Sequence, residues 1–337
     1  MANPLLEVRN LRVEFPTRKG TLVAVDDISL SIAPGEVLGV VGESGAGKSM
    51  TGAAIIGLIE PPGRVAEGQI LLDGRRIDNL SYDEMRKVRG KEIGAIFQDP
   101  LTSLNPLYRV SEQLVETITT HLSLTEKQAR ARALELLKEV GIPAAEERLD
   151  HYPHQFSGGM RQRVVIALAL CAEPRLIIAD EPTTALDVSI QAQIITLLKR
   201  LCREHQTAIM LVTHDMGVIA ETADRVAVMY AGRIAEIGPV QDVIKRARHP
   251  YTEGLMGAIP TIGGRDELLT QIDGSMPRLT AIPSGCAFHP RCPKVHFKCH
   301  TVRPDLIGDG NHSASCWLME KQPAQSQSQS QSQGGGQ

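Results

Sequence analysis

No stretch of this 337-residue chain is long and apolar enough to cross a bilayer. The longest apolar run, Val164 to Ala172, has nine residues, against the roughly 18 that a spanning helix needs. Any membrane contact must therefore pass through partners. A secretory h-region is also missing, because Glu7 and Arg9 interrupt the first apolar residues. The expectation is a cytoplasmic chain, a compartment in which thiols are usually reduced and structural disulfides rare. Excess basic charge is absent too: the net charge of −3 offers no basic surface for nucleic acid. We find no internal repeat. What remains is the composition of a soluble globular protein, 42% hydrophobic and 22% charged. Its length suits roughly two domains and a core of ordinary size.

Against these absences stand three short patterns in fixed order. The first is G-x-x-x-x-G-K-S over Gly42 to Ser49. Gly42, Gly45 and Gly47 let backbone N–H groups close around phosphates, while Lys48 and Ser49 reach the β/γ-phosphates and Mg²⁺. Glu43, Ser44, Ala46 and Met50 complete the expected ATP contacts. The apolar stretch Val37 to Val41 before the loop and the helical stretch Met50 to Leu58 after it supply the strand–loop–helix context the pattern needs. The second is Ser157-Gly158-Gly159-Met160 ahead of the apolar run, a glycine loop feeding a helix N-terminus, which attracts anions. In the third, Leu176 to Ala179 closes on Asp180 and Glu181, the pattern of a buried parallel strand with chemistry at its C-terminal end. Asp180 would hold Mg²⁺ directly or through water, and Glu181 would orient or deprotonate the attacking water. Gln98 and His214 follow the apolar stretches Ile93 to Phe97 and Ile209 to Val212. An amide there suits sensing Mg²⁺ and water, and an imidazole suits meeting the γ-phosphate.

Leu5 to Phe15, Thr21 to Ile32 and Gly68 to Leu72 alternate apolar and polar residues, which predicts a half-exposed antiparallel sheet. Val37 to Val41, Leu176 to Ala179 and Ile209 to Val212 are almost wholly apolar, which predicts a buried parallel one. Between them, Thr125 and Gln128 form a capping box, and Ala129, Ala133, Leu136, Leu137 and Val140 trace one helical face. Gly141 and Pro143 end that helix. Residues 325–337 are Gln/Ser/Gly low complexity, and we expect a disordered tail over 323–337.

In these motifs the chain resembles the ATP-binding subunits of ABC transporters, over residues 5 to about 322. The resemblance implies an α/β P-loop nucleotide-binding domain over 1–240, with a RecA-like core, an antiparallel β-subdomain and a helical subdomain at about 101–170. A small cysteine-containing extension follows over 241–322. It implies hydrolysis of ATP with Mg²⁺ held by Ser49, Gln98 and Asp180, with Glu181, His214 and Gln98 as the catalytic set. Phe15 lies where the family stacks an aromatic on adenine. Ser157, Gly158, Gly159, Met160 and Gln162 would close over nucleotide held by a second ATPase, identical or homologous. Asp187, in Ala185-Leu186-Asp187, falls in the loop at that dimer contact. Met160 stands where many members have glutamine.

Phe97 to Pro106, Tyr152 to Gln155, Arg248 to Thr252 and the cysteine-bearing extension are similar to the dipeptide/oligopeptide importer ATPases, and Pro61 to Val65 leans toward the dipeptide type. That resemblance implies two membrane permeases, an extracytoplasmic peptide-binding protein and a peripheral place on the cytoplasmic face of the membrane. Importers of nickel, glutathione or another small solute would share nearly every motif. A soluble, non-transport ABC ATPase is the alternative of another class.

Four of the six cysteines, Cys286, Cys292, Cys299 and Cys316, have spacings C-x₅-C-x₆-C-x₁₆-C. Four thiols in a short segment with little to bury read as a metal site, [4Fe–4S] or Zn²⁺, or else as unrelated thiols. His289, His296, His300 and His312 are spare ligands that keep zinc open, whereas the resemblance implies a [4Fe–4S] cluster. Cys171 and Cys202 lie on apolar helical faces as small core residues.

Overall fold

Two sheets organise residues 3–184, 186–257 and 272–320, which the computed structural model describes. The Gln/Ser/Gly tail at 323–337, Ala185 and residues 258–271 lie outside the described residues.

The first sheet uses β1 (Leu6–Thr17) and β2 (Gly20–Ile32). After β3 (Val37–Val41), which belongs to the other sheet, come β4 (Arg64–Leu72) and β5 (Arg75–Arg76). The order is β2-β1-β4-β5, antiparallel throughout. In β1, Leu6, Val8, Leu11 and Val13 are all buried, although Val8 and Leu11 differ in parity. A register shift between Val8 and Leu11, with Asn10 at φ 48°, restores the inward face.

The second sheet adds β6 (Ile93–Ile96), β7 (Leu176–Asp180), β8 (Ala208–Val212), β9 (Arg225–Tyr230), β10 (Arg233–Pro239), β11 (Ile307–Gly308) and β12 (Ser313–Ala314). Its order is β11-β12-β10-β9-β3-β8-β7-β6. The run from β9 to β6 is parallel, and the other pairs are antiparallel. Every residue of β3 and β8 is buried, as covered parallel strands require. Side-chain parity divides the core. Leu38, Val40, Ile178 and Met210 join Val25, Ile28 and Ile55 on one face. On the other, Val41, Ile177, Ala179 and Leu211 join Leu136, Val165 and Leu198. The register aligns Ile96 with Ala179, and Asp180 and Val40 with Val212. The loops carrying Gly42, Gln98, Glu181 and His214 therefore leave one edge of the sheet together.

The helical segment includes Val110–His121, Glu126–Glu139 and Gly158–Leu170. The capping box at Thr125 is present, the expected face from Ala129 to Val140 is buried, and Gly141 has a φ of 76°. The extension expected from residue 241 lends the main sheet its last two strands. Glu236 pairs with Ala314 and Ile237 with Ser313.

Candidate nucleotide site

The phosphate loop leaves β3 and enters the helix Lys48–Ile55. Gly42 has a φ of 149°, and a Cβ there would lie 2.3 Å from the Met229 carbonyl oxygen. Gly47, at φ 99°, would put a Cβ 2.8 Å from the Ala24 carbonyl oxygen. Only glycine fits either position without moving backbone. Lys48 is 6% exposed, and its Nζ donates to the carbonyls of Gly42 (2.8 Å) and Glu43 (3.1 Å). Burial lowers its pKa, against the opposing pull of Glu181, Asp180 and Glu43. Ser49 Oγ donates to Asp180 Oδ1 at 2.9 Å, which joins the loop to the end of β7.

Glu181 is the hub. Its backbone takes φ 45°, and its N–H donates to the Val212 carbonyl at 2.8 Å. One carboxylate oxygen accepts from Gln98 Nε2 (3.2 Å) and Thr184 Oγ1 (2.8 Å); the other stands 3.3 Å from His214 Nδ1. Burial pushes its pKa up, but the hydrogen bonds from Thr184 and His214 and the charges of His214 and Lys48 outweigh it, and the pKa sits below the usual value. Asp180 moves the other way. Burial, helped by the charge of Glu181, raises its pKa against the bond from Ser49. One edge of the sheet thus presents an ionised carboxylate, held by an amide and an imidazole, beside a loop built for phosphates. That arrangement can orient and deprotonate a water. The sequence reading missed Thr184; the hydroxyls in Pro182-Thr183-Thr184, directly after the carboxylates, were the available signal.

Other expected residues stand apart from this hub. Phe15 lies on β1 opposite Leu22 and against Gly63. Ser157 caps the helix Gly158–Leu170, accepting from the Met160 N–H at 3.4 Å. Gly158 and Gly159 face Leu186 and Ile190, and a Cβ on Gly159 would come 2.9 Å from Ile190. Among the described residues, no hydrogen bond joins this loop to Gly42–Ser49. Asp187 is exposed, and its carbonyl accepts from the N–H groups of Ile190 and Gln191 at the start of the next helix. Gln162 needs correction. It is 1% exposed with both amide atoms unbonded, so it faces the interior and not a partner's nucleotide. The helical period turns Gln162 onto the buried face of Val165, Ile166 and Ala169.

Cys286, Cys292, Cys299 and Cys316 line one small cavity together with Phe288, His289 and His296. Burial pushes the Cys286 thiol up to about 11, and the other three cysteines add to the rise. All six cysteines are free. Four soft donors around one space are the donor set that iron–sulfur and zinc sites use. Among the described residues, however, no three His, Cys, Asp or Glu side chains are placed as a group to hold a metal ion. Cys171 and Cys202 are buried elsewhere, and burial pushes both up to about 12.

Comparison with known proteins agrees with this geometry. Residues 25–184 match the family described as ABC transporter, and residues 235–299 match the oligopeptide/dipeptide transporter C-terminal region. The dipeptide transport ATP-binding protein of Bacillus subtilis is 48% identical, covering 94% of this chain and 96% of its own. An oligopeptide transport ATP-binding protein of the same organism is 52% identical over 94% and 89%. The fold superposes on a dimeric ATP-binding cassette in a post-hydrolysis state bound to ADP and Pi. The TM-score is 0.62 at 31% identity, covering 70% of this chain and 98% of that one. The chain belongs to the ATP-hydrolysing ATP-binding proteins of ABC transporters, in the group that carries the oligopeptide/dipeptide transporter C-terminal region.

Proposed function

We propose that this chain energises import of di- or oligopeptides across the cytoplasmic membrane. The observation that carries the reading is a Glu181-centred hydrolytic edge on the same chain as a C-terminal region matched to peptide transporters. Gly42 to Met50 cradle the triphosphate and Phe15 stacks on the adenine. Ser49, Asp180 and Gln98 would hold Mg²⁺, which when bound neutralises charge on the β- and γ-phosphates. Glu181 takes the proton of the attacking water, and Gln98 and His214 keep that carboxylate and the γ-phosphate in line. Ser157, Gly158, Gly159 and Met160 close over nucleotide on a second ATPase, identical or homologous, with Asp187 at the contact. Closure and reopening drive two permeases, and an extracytoplasmic binding protein supplies the peptide. No described helix is long and apolar enough to cross a membrane, which suits a peripheral subunit held on the cytoplasmic face by those permeases.

The four cysteines are the donors we assign to a [4Fe–4S] cluster, with Zn²⁺ as the second reading. A bound cluster would tie Cys316 to the Cys286–Cys299 segment with which it shares a cavity.

The test is anaerobic purification from native membranes with mass spectrometry of associated chains, followed by ATPase assays with added solutes. The expected result is two permeases, a second ATPase, broad brown absorption and stimulation by peptide through the binding protein. Stimulation by nickel or glutathione instead would reassign the cargo. A soluble homodimer without permeases would replace transport with a non-transport ATPase.

A further inference from the structure

Glu43 lies inside the phosphate loop, yet the C-terminal region holds it. Its backbone N–H donates to Tyr251 Oη at 2.9 Å, and its Oε2 pairs with Arg291 Nη1 at 3.0 Å. Both partners fall within the 235–299 region and far from the loop in sequence. Tyr251 is fully buried and Arg291 has a side chain 8% exposed. The Tyr251 ring packs at 4.7 Å on Tyr230 and 5.4 Å on Phe288, so the hydroxyl has little freedom. Arg291 is itself clamped. Its Nε donates to the Asp273 carbonyl at 2.8 Å, and its guanidinium lies 5.9 Å from the rings of Tyr230 and Phe288. The other Glu43 oxygen, Oε1, is buried without a hydrogen bond. Arg291 is thus the cation that offsets a carboxylate placed where a polyanion must bind.

We propose that Arg291 and Tyr251 are positioning residues for the phosphate loop, through which the C-terminal region sets ATP affinity. Tyr251 fixes the backbone of Glu43, and Arg291 cancels its charge. Without Arg291 the loop would meet the triphosphate with an unpaired carboxylate beside it. Arg291 also directly precedes Cys292, so displacement of the cysteine segment would reach the nucleotide through one side chain. The inference rests on reading Gly42–Ser49 as the ATP site.

The test is binding of a fluorescent ATP analogue, with steady-state turnover, on the full-length chain. Arg291→Ala should weaken ATP binding by roughly 10–100-fold, the range for a lost hydrogen bond to a charged group. At saturating ATP, kcat should stay within about threefold, as for loss of ground-state binding. Glu43→Gln in the Arg291→Ala background should restore much of the affinity, because the repelling charge is gone; a merely structural Arg291 would not be rescued this way. Arg291→Lys should keep part of the affinity, and Tyr251→Phe, which retains the ring, should lose roughly 2–10-fold. Lys48→Ala separates the two readings. Loss of binding in Lys48→Ala with no change in Arg291→Ala and Tyr251→Phe overturns the inference alone. Retained binding in Lys48→Ala overturns the site reading and the inference together.

Discussion

The strands beneath the phosphate loop and the extension that leans on it share one apolar cluster, but the extension's dock also contains the buried titratable groups Glu236, His249 and His312. β3 and β8 are buried along their whole length, and the two faces of their sheet feed two large apolar clusters. The extension packs Tyr251 and Phe288 against Tyr230 of β9, adds Val243, Ile244, Leu255 and Ala287 to the same apolar cluster, and also docks through buried polar groups. Glu236, fully buried on β10, accepts from the N–H groups of Arg248 and His249, both at 2.9 Å, and lies 2.6 Å from His312 Nε2. Arg248 reaches Asp309 at 3.0 Å. Apolar burial is indifferent to pH, whereas hydrogen-bonded and ionic docking is not. The edge that carries Glu181 therefore sits on strands whose burial is apolar, while the docking of the element that grips the Gly42–Ser49 loop depends in addition on groups that titrate.

Four changes would break or sharpen that contrast. The largest effect belongs to the edge: Glu181→Gln should keep ATP binding and lower hydrolysis by roughly 10²–10⁴-fold, the usual worth of a positioned general base. Single-turnover phosphate release measures it. Next, Glu236→Ala strands His312 and two backbone donors and should cost about 3–5 kcal/mol of docking. Hydrogen exchange should accelerate at residues 248–257 and 312–316 while the amides of β3 and β8 stay protected.

Third comes pH. Burial depresses His249 from its ordinary 6.5 to about 4, and its Nδ1 accepts from the Tyr251 N–H at 3.0 Å. Between these values the unfolded chain binds the proton and the folded one does not. Stability contributed here is full above pH 6.5 and falls by roughly 3 kcal/mol as pH drops to about 4. Exchange measured across that window should rise in the extension first; equal rises in β3 and β8 would erase the contrast. The smallest effect lies outside both regions. Thr125→Ala should cost about 1 kcal/mol by removing a helix cap and leave ATP affinity unchanged, which thermal melts and nucleotide titration check together.

The parallel strands were legible because unbroken apolar runs admit few other readings, and the capping box at Thr125 because its partners are three residues apart. The strands β11 and β12 have two residues each, too short for any period. Arg291 and Glu43 are 248 residues apart, so only the tertiary fold brings them together. Gln162 does carry a sequence signal: its helical spacing from Val165, Ile166 and Ala169 points inward, although it lies close to Ser157 along the chain. The register shift at Asn10 is illegible for the opposite reason, since one extra residue in β1 reverses parity without marking the sequence.

The most direct measurement is ATP-driven uptake of a labelled dipeptide into vesicles carrying the partner subunits and binding protein, with the native chain and with Glu181→Gln. The account predicts accumulation with the native chain and background with the variant, both having bound ATP. Undiminished uptake with Glu181→Gln, or native ATP turnover that never moves peptide, would contradict it.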